Sequence, residues 1–289
     1  MDGAQTDLNA IPHMTDGDVE RLLAALTRET RRVERVELSF GAVWIKRYGT
    51  ERPPIWTKAQ MSLARLFGQA FLRPSPYLDS KGMIAREIRR IETFAANGVP
   101  VPRVLYASGN ALVLSDVAPT VTAELDVLRD TDPAAHDGLL VACAAHLGAL
   151  HGKGLCHGRP HPRDFFVAGE RRIGFMDFEE EPEAAMPLAA AQARDVWLLF
   201  LQLTDRARLG VATAEKAYAA WRTNAPSAAE AELKEMLRFL GKFLWLTRLI
   251  GRVHMGSDLR RFLAATGYLS EVLLASPRPA DASKAGKDD

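Results

Sequence analysis

Nowhere in this chain do about 18 apolar residues run together, so no membrane-spanning helix is expected. Met1 to Asp18 carries no basic segment followed by an apolar run, so no secretory signal is expected either. Cysteine is scarce. Cys143 and Cys156 are too few for a disulfide framework in a chain of this size, which points to a reducing compartment. An excess of one charge is missing as well. Lys and Arg number 37 against 36 Asp and Glu, a formal charge of +1, so no whole-chain field exists to attract nucleic acid. These absences describe a cytoplasmic protein, with contact at the inner membrane surface left open.

What is present suffices for a folded core. The 289 residues are 47% hydrophobic and 25% charged, ordinary globular values that suit one large domain or two lobes. Asp18 to Thr30 reads as a short amphipathic helix. Arg32 to Leu38 and Ala42 to Tyr48, rich in Val, Ile and Trp, read as antiparallel strands around Ser39-Phe40-Gly41. Trp56 to Leu72 is a helical insert that Arg73-Pro74-Ser75-Pro76 ends. Ile84, Ile88, Ile91 and Ala95 repeat at helical spacing, which predicts a helix over Lys81 to Ala96 with a left-handed stop at Asn97-Gly98. Short strands at Arg103 to Tyr106 and Ala111 to Leu114 follow.

Beyond Asp116 nearly everything reads as helix: Asp137 to His151, Gln192 to Thr204, Ala212 to Thr223, Ala228 to Arg252 and Ser257 to Leu274. The division this gives is an N-terminal segment and helix (1–30), a small β-rich lobe (31–117) with the helical insert (56–76), and a helical lobe (118–275). A tail (276–289) of turn formers and charges is expected to be disordered.

One hairpin breaks the helical half, and it carries two acidic residues. If its tight loop is Glu170-Arg171, Val167 faces Gly174 and Asp164 faces Asp177. Moving the loop centre back by one residue pairs Asp164 with Phe175, and the carboxylates stay neighbours. Two carboxylates at one end of a rigid hairpin suit Mg²⁺ and, through it, phosphates.

Two further residues gain meaning from their order. Lys46 lies on a strand among apolar neighbours, where an inward ammonium needs an anionic partner. Its ordinary reading is a solvated strand end. Glu87 lies beside the apolar stripe of the Lys81–Ala96 helix, and its ordinary reading is a pair with Arg90. In chain order, however, come a strand lysine, a helix glutamate, a Gly-Val-Pro-Val-Pro turn and a strand ending in Ser115-Asp116-Val117. A helix ending in Leu150-His151 and running on to Cys156-His157-Gly158, the acidic hairpin and Arg194-Asp195-Val196-Trp197 complete the series. That is the part order of a kinase.

On these motifs, residues 34 to 205 resemble the kinase-like superfamily. Within it they are similar to the bacterial lipopolysaccharide kinases of the Kdo and core-heptose group and to their Bud32- and Rio-like relatives. The resemblance implies an α+β, two-lobed protein-kinase-like fold with a reduced β-rich N-lobe and a helical C-lobe. It implies ATP and Mg²⁺ as cofactors and a small-molecule, saccharide or glycolipid acceptor taken by a monomer. Lys46 would grip the α/β-phosphates, Glu87 would orient it, and Asp116 and Val117 would meet the nucleotide. Asp164 and Asp177 would hold Mg²⁺, and Asp195 would brace the catalytic loop that contains His157.

Three departures stand out. Arg159 occupies the position where the family has the aspartate that accepts the acceptor hydroxyl's proton. A guanidinium cannot serve as a general base but can touch the γ-phosphate or acceptor as a fixed cation. Asp164 stands where Asn is usual and is the nearest substitute base, and the Gly-rich phosphate loop is reduced to Gly41. The alternative is a catalytically impaired pseudokinase with a regulatory or scaffold role.

Other residues have competing readings. Cys143, His146, His151, Cys156, His157 and His161 are zinc-type ligands close in sequence. Trp56 to Leu72, with Lys58 and Arg65, reads either as a membrane-surface or substrate helix or as packing against the small lobe. Phe239, Leu240, Phe243, Leu244, Leu246 and Leu249 read as core, and Arg248, Arg252, Arg260 and Arg261 as a solvated face or an acidic-substrate groove. Glu179 to Glu183 reads as a solvated loop.

Overall fold

The computed structural model describes residues 14–28, 31–49, 55–117, 119–169, 172–251 and 256–274. The tail at 276–289, the hairpin loop residues Glu170 and Arg171, and Arg252 lie outside them. The fold is α+β. It comprises two compact units, and the 162–185 segment belongs with the β-rich unit, although helices flank it in sequence.

The first unit contains α1 (Asp16–Thr27), β1 (Val33–Leu38), β2 (Gly41–Arg47), α2 (Ile55–Phe67), α3 (Ser80–Ala96), β3 (Val104–Ala107) and β4 (Ala111–Ser115). Its sheet is antiparallel in the order β1-β2-β4-β3. The period of two divides β2 between its faces. Val43 and Ile45 pack with Leu22 and Ala25 of α1 and Val113 of β4, which leaves Trp44 and Lys46 for the opposite face. A capping box starts α1: Thr15 accepts from the Asp18 backbone N–H, and Asp18 accepts from the Thr15 N–H. Asp18 also accepts from the backbone N–H (2.8 Å) and hydroxyl (2.5 Å) of Ser39, so one carboxylate joins a helix start to the β1–β2 turn. These bonds hold its pKa well below the usual carboxylate range.

After β4 come α4 (Val121–Leu128) and the hairpin of β5 (Phe165–Ala168) and β6 (Arg172–Phe175). The helical reading beyond Asp116 covers α4 without giving it bounds of its own; Thr120 accepts from Ala123 N–H as its cap. The hairpin register falls between the two expected ones. Phe165 pairs with Phe175, Phe166 with Gly174 and Val167 with Ile173. Three residues, 169–171, make the loop, so Asp164 faces Met176 and accepts its backbone N–H at 2.9 Å. Asp177 is therefore one residue past the position opposite Asp164.

Both edges of the hairpin are held. Val167 N–H donates to Pro119 and Phe175 N–H donates to Pro100, in the proline turn after α3. At Gly174 a Cβ would lie 2.2 Å from the Phe166 ring, so the ring crosses the partner strand only because no side chain stands there.

The second unit is helical: α5 (Pro133–Gly152), α6 (Leu188–Arg206), α7 (Val211–Arg222), α8 (Ser227–Gly241), α9 (Leu244–Gly251) and α10 (Ser257–Leu274). The expected helix from Ala228 to Arg252 breaks at Gly241, a poor helix former, where the Lys242 and Phe243 N–H groups bond back to Phe239 and Leu240. Leu240 is buried, but Leu246 and Leu249 are exposed rather than core. Arg260 and Arg261 both pair with Asp205. Among the described residues no helix is long and apolar enough to cross a membrane. On α2 of the first unit, Leu63, Leu66 (75% exposed) and Phe67 face outward instead of packing on the sheet.

Candidate functional site

The face of β2 that carries Lys46 is where the charges gather. Lys46 Nζ donates to both Glu87 oxygens at 2.8 and 2.9 Å and to Asp177 Oδ1 at 2.7 Å, and it lies 3.2 Å from Glu179. Glu87 is fully buried and also accepts from the Tyr48 hydroxyl. The Lys46 side chain is 10% exposed, and Asp177 is 41% exposed. Neither ordinary reading survives: Lys46 is not a solvated strand end, and Arg90 pairs with Glu183 rather than with Glu87.

Burial would lower the Lys46 pKa, but Glu87 and Asp177 raise it well above its usual value, so the ammonium stays charged. Burial pushes Glu87 up, against the pull of Lys46. Tyr48 is likewise driven up, by burial and by the neighbouring Glu87 charge.

Asp177 has φ +67, a left-handed conformation for a residue other than glycine. Such residues are a small minority and collect at functional sites. The residues after it fix that geometry. Phe178 is buried with its ring 4.6 Å from Phe94 of α3. The expected solvated loop is instead clamped along α3. Arg86 donates to the Glu179 carbonyl at 2.9 Å and lies 3.3 Å from Glu181, Arg89 donates to Glu181 at 2.7 Å, and Arg90 pairs with Glu183. Ser75 donates to Glu180 and accepts from the Glu181 N–H. Arginines 86, 89 and 90 share one helix face by the i, i+3, i+4 rule, and that face is what the glutamates meet.

Asp164 is buried, its carboxylate 3.4 Å from Arg163 Nε. Asp116 accepts from Trp44 Nε1 at 2.7 Å and from Arg35 at 3.2 Å. Asp116 and Val117 also line a cavity of about 770 Å³ with Ile91, Pro100, Arg103 and Phe166. Lys46, Glu87 and Asp177 do not line it, so that cavity is not the Lys46 site.

In the second unit Asp195 clasps the loop after α5. Its carboxylate accepts from the His157 N–H at 2.5 Å and the Gly158 N–H at 2.9 Å, while Arg194 donates to the Gly158 carbonyl at 3.2 Å. Gly158 has φ +98, which favours glycine. His151 accepts from Trp221 Nε1 at 3.1 Å, and Gln192 donates to the His151 and Leu155 carbonyls. The bracing expected of Asp195 is present, with His157 buried and Arg159 exposed immediately beyond it. Sequence reasoning missed Gln192 and Trp221, whose roles depend on contacts between helices far apart in the chain.

The zinc reading finds no ligand geometry among the described residues, and Cys143 is fully buried, which pushes its thiol up to about 12. Among the described residues no group of three or more His, Cys, Asp and Glu side chains gathers where one metal ion could be held. A divalent ion that keeps waters and shares phosphate ligands needs fewer, one or two carboxylates being enough for Mg²⁺. Asp177, exposed beside a charged lysine, suits that role.

No family model matches the chain. Over 195 residues it is 26% identical to an uncharacterized protein of Haemophilus influenzae, a match that spans 68% of this chain and 76% of that protein. Among solved structures it is similar to the complex of Rv3197 with erythromycin from Mycobacterium tuberculosis. That likeness has a TM-score of 0.33 and 16% identity over 84% of this chain and 74% of that one. Neither likeness assigns an activity, so the functional reading stands on side-chain geometry.

Proposed function

We propose that this chain is an ATP- and Mg²⁺-dependent phosphotransferase of the kinase-like superfamily. Its acceptor is a hydroxyl on a saccharide, glycolipid or other small molecule. The observation that carries the reading is the buried Lys46–Glu87 pair with Asp177 on the same ammonium. A strand lysine oriented by a helix carboxylate presents a fixed positive charge to phosphate oxygens, and a neighbouring exposed aspartate suits a metal ligand.

In this mechanism Glu87 holds Lys46 extended and charged. Asp177 would hold Mg²⁺ with Asp164 supplying a further oxygen, and the strained backbone at Asp177 presets its aim. Bound Mg·ATP supplies the transferable phosphoryl group and neutralises the charge that develops on it. Asp164 is the group that takes the acceptor proton, because Arg159 cannot. Phosphoryl transfer needs little help from a base, since positioning and electrostatics do most of the catalysis. The Asp195 clasp holds the His157–Gly158 backbone rigid on its own unit.

Arg159, exposed at the position of the usual base, favours a second reading: a pseudokinase that binds nucleotide without turnover. Phosphate release from ATP separates the two. The enzyme reading expects slow Mg²⁺-dependent hydrolysis that is lost in Asp177→Ala and Asp164→Ala. ATP binding with no hydrolysis above background, in the wild type and in the presence of candidate saccharide acceptors, favours the pseudokinase.

A further inference from the structure

Two cations converge on one carboxylate in the first unit. Glu179 lies 3.2 Å from Lys46 Nζ and accepts from Arg32 at 2.5 and 2.6 Å. Behind them, Glu87 anchors the lysine. The Glu179 backbone is fixed, because Arg86 holds its carbonyl and Arg86, Arg89, Arg90 and Ser75 hold the glutamates that follow. Its side chain is the part that can exchange, and it is 23% exposed.

The β1–β2 connection sharpens the question of how phosphates are held. Leu38 pairs directly with Gly41, so Ser39-Phe40 is a two-residue turn. It is too short to wrap phosphates in backbone N–H groups as a Gly-rich loop does. Side-chain cations must replace those donors. A guanidinium and a buried ammonium already shared by one carboxylate suit phosphate oxygens by the same charge-assisted bonds.

We propose that Arg32 is a second phosphate-gripping cation beside Lys46, and that Glu179 is the built-in competitor which phosphate displaces. This rests on the phosphotransferase reading and adds to it the residue that stands in for the missing loop. The charges give the sign. Lys46 and Arg32 face Glu87, Asp177 and Glu179, two positive groups against three negative. Neutralising Glu179 leaves the set balanced and removes the carboxylate that both cations share.

The test is isothermal titration of the full chain with inorganic tripolyphosphate in metal-free buffer, and with ATP in Mg²⁺. Glu179→Gln is expected to tighten tripolyphosphate about tenfold and Arg32→Gln to weaken it about tenfold. Arg32→Lys is expected to fall between Arg32→Gln and the wild type, and adenosine should be insensitive to all three substitutions. Thermal melts confirm that each variant is folded. Weaker or unchanged tripolyphosphate binding in Glu179→Gln, or no loss in Arg32→Gln, overturns the inference. If ATP binds but neither substitution matters, the phosphotransferase reading stands and this one falls. If tripolyphosphate responds as expected while ATP does not bind, the anion subsite stands and the nucleotide reading falls. If neither binds, both fall.

Discussion

Lys46 shows how a single residue's meaning depends on distant sequence. Its strand and apolar neighbours were legible, but its partners Glu87 and Asp177 come from a helix and a hairpin that no local periodicity connects to it. Only the order of motifs raised the pairing above a solvated strand end. The burial of the pair makes a definite prediction. Removing one member strands a charge, so Lys46→Met is expected to destabilise the chain by about 3 kcal/mol in urea unfolding. The double variant Lys46→Met/Glu87→Leu, which removes both charges, is expected to cost less than the sum of its singles. Strict additivity would show that the two side chains do not interact as described.

At the scale of elements, α1 and the β1–β2 turn share Asp18. Its pKa is lowered on folding by Ser39 first and Thr15 next. A lowered carboxylate stabilises the fold fully above its unfolded value of ~3.9 and loses that contribution as the pH falls below it. Asp18→Asn is therefore expected to melt lower than wild type at pH 7, with the gap narrowing progressively as the pH falls below ~3.9. A gap independent of pH would remove the ionised carboxylate from the explanation.

Helix packing in the second unit gives a separate prediction. A Cβ at Gly148 of α5 would lie 2.2 Å from the Trp221 carbonyl of α7, so Gly148→Ala is expected to cost about 1–3 kcal/mol in urea unfolding despite alanine's better helix propensity. A neutral or stabilising effect would contradict the close approach.

Elements were also where sequence reasoning slipped. The hairpin was recognised, but its loop has three residues rather than two, so neither expected register was the one adopted. Glu179 to Glu183 reads as solvated because acidic runs usually are. The three arginines that bind it lie on α3, about ninety positions earlier, and their shared face becomes relevant only once that helix is packed.

For the molecule as a whole, the near-zero net charge hides a local pattern: a buried, a half-buried and an exposed carboxylate around one lysine, each with a cationic or hydrogen-bonding partner. The α+β composition and the placing of strands before helices were legible, since hydrophobic periodicity and the proline turns carry them. The grouping of the 162–185 hairpin with the strands was not, because it depends on backbone bonds to Pro100 and Pro119 that leave no mark on local composition.

The central claim is that Lys46, Glu87 and Asp177 form a nucleotide-phosphate site, and thermal shift with ATP and Mg²⁺ tests it most directly. A ligand that binds the folded state at a hundredfold excess over Kd adds about 2.7 kcal/mol, which corresponds to a Tm rise of about 4–5 °C for a chain of this size. That rise should require Mg²⁺ and disappear in Asp177→Ala. An unchanged Tm at millimolar ATP and Mg²⁺, or an equal rise in wild type and Asp177→Ala, would contradict the account.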